Sequence, residues 1–268
     1  MKAAWITDIH LNFISPNEAT TFFESIVKDK PDFVFVTGDT SDSKRIIDDL
    51  YELERVVQRP VFFILGNHDY WGGDFVGVEA KIATKTSGSN YLRYLTRSSF
   101  HRLSRNTCVV GHDGWYDMLY GDHVTSPIEL NDWVYINDFV NGRYIDIQHV
   151  VEVSRKRAQE AVIHVADCIK DAVRGGMKHI IVLTHVPPFT QTCTYRGQPS
   201  DKNFLPFFSS KLMCDTLLAA SRAYPGVRFD VYAGHTHGEA HLDIDNLHVT
   251  VGESEYRFPK VQPLIEFD

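Results

Sequence analysis

The stretch VFFILGNHDYW, residues 61–71, passes from five apolar residues directly into Gly66, Asn67, His68 and Asp69. A short run of bulky apolar side chains closed by glycine reads as a strand buried on both faces. Four other runs end in a similar way: AAWIT (3–7) before Asp8-Ile9-His10, FVFVT (33–37) before Gly38-Asp39, HIIVLT (179–184) before His185, and FDVYA (229–233) before Gly234-His235-Thr236-His237. Between the first two runs Phe22, Phe23, Ile26 and Val27 recur at helical spacing, and between the second and third Ile46, Ile47, Leu50, Leu53 and Val57 do the same. Strand, helix, strand, helix, strand implies parallel pairing with right-handed crossovers, and ligands of such sheets bind beyond the carboxyl ends of the strands. The five endings are therefore expected to converge.

The pattern returns in the second half. A helix over about 151–174 feeds the strand at 179, a helix over 211–224 feeds the strand at 229, and EAHLDI and LHVTVG around Asp245-Asn246 read as a hairpin. Two packed sheets flanked by helices follow from a chain that is parallel at first and antiparallel toward its end. Residues 70–145 are rich in glycine and aromatic residues and weakly periodic, which predicts an insertion or a set of long loops over the site. With 268 residues, the expected organisation is one domain spanning 1–268.

Composition narrows the function. Hydrophobic content of 43% and charged content of 23% are those of a globular protein, and the net charge of −8 speaks against a broad nucleic-acid or anionic-membrane surface. The four cysteines are widely spaced, which suits free thiols and a reducing compartment. Neither a signal peptide nor an apolar run of membrane-crossing length is visible, so the expected location is the cytoplasm.

Each polar ending has an ordinary reading taken alone. Asp8, Asp39 or Asp69 can cap a following turn, and a lone histidine is more often hydrogen-bonded in a core. Taken together they would cost several kcal/mol by desolvation if unpaired, which points to metal ions as partners. Carboxylate, imidazole and amide oxygen without thiolate suit Mn, Fe or Zn, and seven donors suit two ions sharing a bridging carboxylate. On an extended chain Asp8 and His10 point the same way, as do His235 and His237.

The ordered set D-x-H, G-D, G-N-H-D, H, G-H-x-H resembles that of the calcineurin-like metallophosphoesterases, and it spans Asp8 to His237. The resemblance implies a four-layered α/β/β/α sandwich of two mixed sheets and a dinuclear centre. By the same resemblance Asp8, His10 and His237 hold one metal, Asn67, His185 and His235 the other, and Asp39 bridges them. His68 then takes the catalytic place, stabilising the transition state or protonating the leaving oxygen, and Asp69 either orients it or caps the turn. Two cations roughly 4 Å apart lower the pKa of a shared water, and the resulting bridging hydroxide attacks phosphorus in line.

Departures from subfamily patterns prune the substrate. TSDSKR after Asp39 lacks the arginine of Ser/Thr phosphatases and the tyrosine of purple acid phosphatases; GNHD is not the GNRD of lipid A pathway pyrophosphatases; and the chain stops about 30 residues after GHTH, short of the large second domain of periplasmic 5′-nucleotidases. What remains resembles the small single-domain phosphodiesterase type, acting on a small phosphorylated substrate. A catalytically inactive metal-binding scaffold of the same fold and a nuclease are the alternatives, the latter disfavoured by acidity. Beyond the motifs, a strand ending in Gly111-His112-Asp113 makes His112 or Asp113 candidate substrate contacts, with Trp115 and Tyr116 packing on a base, or else a surface turn. Arg196 is a candidate phosphate clamp.

Overall fold

A computed structural model describes residues 1–140 and 145–268. One sheet has the order β13-β1-β2-β3-β4, formed by Lys2–Ile6 (β1), Phe33–Thr37 (β2), Val61–Ile64 (β3), Leu92–Tyr94 (β4) and Ile265–Glu266 (β13). The other has the order β11-β12-β10-β7-β6-β5, formed by His101–Arg102 (β5), Thr107–Gly111 (β6), His179–Leu183 (β7), Arg228–Ala233 (β10), Ala240–Ile244 (β11) and Leu247–Val251 (β12). A small two-stranded ribbon, Thr194–Tyr195 (β8) with Gln198–Pro199 (β9), stands apart from both. The inner strands of each sheet pair in parallel, while β13, β11 and β5 pair antiparallel at the edges. The hairpin expected at 239–252 forms, and its second strand joins β10 in parallel.

Why the strands read as unbroken apolar runs is clear from what their two faces meet. In β1, Ala3 and Trp5 face the other sheet while Ala4 and Ile6 face a helical layer; in β7, Ile181 and Leu183 face the first sheet while Ile180 and Val182 face helices. After the first residue, Lys2 or His179, every residue of these two strands is a core residue, so period-2 alternation separates two cores and not core from solvent. Helices Pro16–Ile26 (α1), Ile46–Val57 (α2) and Phe75–Thr86 (α3) cover the first sheet, and the long helix Ile147–Arg174 (α5) with Lys211–Ala223 (α6) covers the second. Ser15 and Glu18 form a reciprocal capping box that starts α1, with Pro16 at its first position. The result is the expected four layers, helix, sheet, sheet, helix.

The stretch 70–145 differs from its expectation. Its first part is scaffold: α3 and β4 complete the first sheet, and β5 and β6 enter the second. Strands of two or three residues carry too little alternation to be seen in a sequence. Residues 112–140, with the short helix Asp132–Tyr135 (α4), form the irregular part, and residues 141–144 lie outside those described. All four cysteines are free and buried, and burial pushes the Cys108 and Cys193 thiols up to about 12. Among the described residues no helix is long and apolar enough to cross a membrane.

Candidate metal centre

Five strand ends do converge, but not by extended alternation. Asp8, His10, Asp39, His235 and His237 all lie in the left-handed region, with φ between 44° and 70°. The backbone turns sharply at the ends of β1, β2 and β10, and Asp, Asn and His are the non-glycine residues that tolerate this conformation best. The loops after β1 and β2 then run side by side: Asp8 N–H donates to Gly38 O at 3.1 Å and His10 N–H to Asp39 O at 3.0 Å. Gly38 lets the second loop pass under His185, because a Cβ there would sit 2.6 Å from Gly66 N and 2.7 Å from His185 Nδ1.

One group gathers Asp8, His10, Asp39 and His237, whose donor atoms all lie within 4.8 Å of one another. The Asp8 carboxylate accepts from Thr7 Oγ1 at 2.6 Å and from the His235 N–H at 2.9 Å, and it stands 3.4 Å from His237 Nε2. A second group shares the Asp39 carboxylate. Asp39 Oδ1 lies 3.4 Å from His185 Nε2, whereas Oδ2 lies 3.8 Å from His10 Nε2 and 3.9 Å from His68 Nε2. Asp39 thus stands between the two sets.

Hydrogen bonds away from the centre fix which atom each side chain presents. His185 Nδ1–H donates to Thr37 O at 2.8 Å and His235 Nε2–H to Phe207 O at 2.9 Å, since a carbonyl can only accept. Asn67 Nδ2 donates to Asp132 Oδ1 at 2.8 Å, which aims the amide oxygen inward. That oxygen lies 3.0 Å from both His185 Nε2 and His235 Nδ1. Burial holds the His235 imidazole down at about 4, so its Nδ1 is a bare lone pair directed at another lone pair. Acceptor facing acceptor at this distance is repulsive without a cation between them.

The charges lead to the same conclusion. Burial would raise the Asp8 carboxyl, but its hydrogen bond and attraction to His237 hold it at about 2; Asp39 is likewise held well below the ordinary range by His185 and His68. Burial opposes protonation of His185, yet Asp39 raises it to about 10. His10, pushed down to about 3 by burial, stays neutral, and its Nδ1 has no hydrogen-bond partner. Among the described residues no lysine or arginine pairs with Asp8 or Asp39; only imidazoles do. Two buried carboxylates whose ionic partners are imidazoles alone, His185 and His237 drawn toward protonation by them and His10 and His235 kept neutral, fit a site in which divalent ions would replace those protons.

His68 sits beside this group. Its ring stacks on Trp71 with centroids 3.6 Å apart, its backbone N–H donates to Asp39 Oδ1 at 2.9 Å, and its ring Nε2 lies 3.4 Å from the Tyr256 hydroxyl. Asp69 does not orient it: the carboxylate accepts from Ser41 N–H and Gly66 N–H, each at 2.8 Å, and ties the β2 and β3 loops together. Arg196 is exposed, stacks over Tyr195, and lines a cavity together with His237.

His112 and Asp113 are not substrate contacts in this arrangement. Asp113 is buried and accepts from Leu65 N–H, Tyr70 Oη, Tyr94 Oη and Thr96 Oγ1, at 2.7, 2.6, 2.5 and 2.6 Å. Four donors saturate a carboxylate, so it acts as a knot under the strand ends. His112 is buried near His164, its Nδ1 accepting from Gly114 N–H, and Trp115 and Tyr116 are core residues. The sequence reading in turn passed over three residues of the centre. Asp132 orients Asn67 and also accepts from Trp71 Nε1 at 2.8 Å, and Tyr256 packs on His10 with centroids 4.4 Å apart. No motif marks Asp132 or Tyr256; Trp71 follows GNHD directly, and its place there was the one available signal.

The family model described as Calcineurin-like phosphoesterase matches residues 1–239. The phosphopantetheinyl hydrolase of Mycobacterium tuberculosis superposes with a TM-score of 0.65 at 14% identity, over 94% of this chain and 89% of its own. A dimetal phosphatase of Danio rerio does so with a TM-score of 0.57 at 12% identity, over 94% and 87%. GAP50, the anchor in the inner membrane complex of Plasmodium, gives 0.52 at 14% identity, over 95% and 71%. No curated protein matches the chain in sequence.

Proposed function

Because the chain belongs to the calcineurin-like phosphoesterase family, we propose that it hydrolyses a phosphoester of a small organic molecule at a centre of two metal ions. Asp8, His10 and His237 would hold one ion, Asn67, His185 and His235 the other, and Asp39 would contribute to both. The observation that carries this reading is the Asn67 oxygen facing His185 Nε2 and His235 Nδ1 at 3.0 Å, three donors aimed at one point. Such ions, when bound, supply Lewis acidity that activates water and neutralises charge on phosphorus.

The chain's own residues supply the rest. Thr37 O, Phe207 O and Asp132 lock the donor side chains, so that little reorganisation accompanies ion binding. His68, clamped against Trp71 and within reach of the Tyr256 hydroxyl, is positioned to deliver a proton to the departing oxygen through Nε2. Arg196 at the cavity rim is proposed to meet phosphate oxygens that do not react.

The test is turnover of phosphomonoesters, phosphodiesters, cyclic nucleotides and pyrophosphates by protein reconstituted separately with Mn, Fe and Zn. Release of product from at least one class, abolished by a chelator and restored by metal, is the expected result. Protein that binds two equivalents of metal and turns over nothing is a scaffold, and the proposal fails.

A further inference from the structure

A cavity of about 380 Å³ opens directly beside the candidate centre, within the range of about 300–1,000 Å³ usual for small-molecule sites. His235 and His237 line it on the side of the candidate centre, together with Tyr195, Phe204, Phe208 and Tyr256. Two of those rings are held from behind: Phe208 packs on the His235 imidazole at 4.8 Å and Tyr256 on His237 at 5.0 Å. Three of the four also stand in solvent, Tyr195 53%, Tyr256 43% and Phe204 42% exposed. Of the seven exposed aromatic side chains among the described residues, Phe13, Tyr195, Phe204, Tyr256 and Phe258 surround this mouth and its neighbour. Apolar rings concentrated at one opening, while the rest of the surface is largely free of them, mark a surface built to be covered.

Charge separates this cavity from the next. Its lining contains no lysine or arginine, and Asp201 is its one carboxylate, an oxygen of which caps the turn at Asn203 and Phe204. The charged residues lie beyond the wall made by His237 and Tyr256, in a second cavity of about 720 Å³ that holds Arg196, Lys260 and three glutamates.

Resting on the hydrolase reading above, we propose that the aromatic cavity is the subsite for the organic arm of the substrate, and that it selects an uncharged planar or apolar arm and rejects an anionic one. An ester oxygen on a phosphorus at the centre leads past His235 and His237 into this space. The arm is then sandwiched between Phe204 and Tyr256, and Asp201 at the rim repels a carboxylate or a second phosphate.

The metal-loaded full chain is tested on phosphate esters of methanol, benzyl alcohol and 4-carboxybenzyl alcohol, and in parallel by calorimetry with methylphosphonate and benzylphosphonate. The benzyl ester is expected to exceed the methyl ester in kcat/KM at least about tenfold, and the 4-carboxybenzyl ester to fall well below the benzyl one. Phe204→Ala is expected to lower the benzyl-to-methyl ratio about tenfold, and Asp201→Asn, which retains the turn cap, to recover the 4-carboxybenzyl ester. Equal ratios in wild type and Phe204→Ala overturn the proposal. If none of these monoesters turns over, the hydrolase reading is decided by the panel of ester classes above and the subsite by the binding arm: benzylphosphonate held no more tightly than methylphosphonate overturns the subsite, whereas tighter binding lost in Phe204→Ala upholds it.

Discussion

Asp39 and Asp113 follow strands of the two sheets and are equally buried, each 1% exposed, yet their surroundings differ in kind. Around Asp113 two phenols, a threonine hydroxyl and a backbone amide approach to 2.7 Å or less, and the carboxylate is fully satisfied by neutral donors. Around Asp39 one backbone amide binds, and the remaining neighbours are imidazoles at 3.4–3.9 Å. The knot is tight and complete, while the candidate metal centre is loose and incomplete. Burial of an acid after a strand does not separate the two; the number and type of its donors does.

Exchanging each for asparagine breaks the comparison most directly. Asp39→Asn is expected to lower phosphodiester turnover by manganese-loaded protein about a thousandfold, several kcal/mol of transition-state stabilisation, and to leave the thermal midpoint within a few degrees. Undiminished turnover would sink the shared-carboxylate role. Asp113→Asn reverses the pattern. Its amide would point N–H at donors, at a cost of about 2–4 kcal/mol in urea unfolding, and the folded fraction should keep its activity. Equal stability of mutant and wild type would show that the knot does not hold the strand ends.

The supports of the open centre give smaller effects. Asp132→Ala frees the Asn67 amide to rotate, and manganese affinity by calorimetry should fall about 10–100-fold; an unchanged affinity removes Asp132 from the centre. Tyr256→Phe deletes one hydrogen bond to His68, worth roughly 0.5–1.5 kcal/mol, and kcat should drop about twofold to tenfold with KM little altered. A change in KM alone would instead assign the phenol to substrate binding.

The same contrast explains what could be read in the sequence. Five of the strands were legible because both of their faces are core, which leaves runs such as FVFVT without a polar interruption. The donors were legible because each stands within four residues of such a run. Asp113 was misread for that very reason, since it too follows a strand, β6, and nothing in GHDGW records that Tyr70, Tyr94 and Thr96 would reach it. Asp132 and Tyr256 act through contacts 65 and 188 residues distant along the chain, and no local pattern predicts those. The left-handed turns were invisible as well: Asp8 and His10 share a side because the chain bends there, although alternation on an extended strand gives the same answer for the wrong reason.

Those bends have a consequence for anyone wishing to make the protein sturdier. Five side chains with a Cβ occupy conformations where a glycine would relax, each at a cost of the order of 1 kcal/mol. Selection for heat resistance alone would erode these positions, one glycine at a time. The hardiest descendants of this sequence would be those that had forgotten their chemistry.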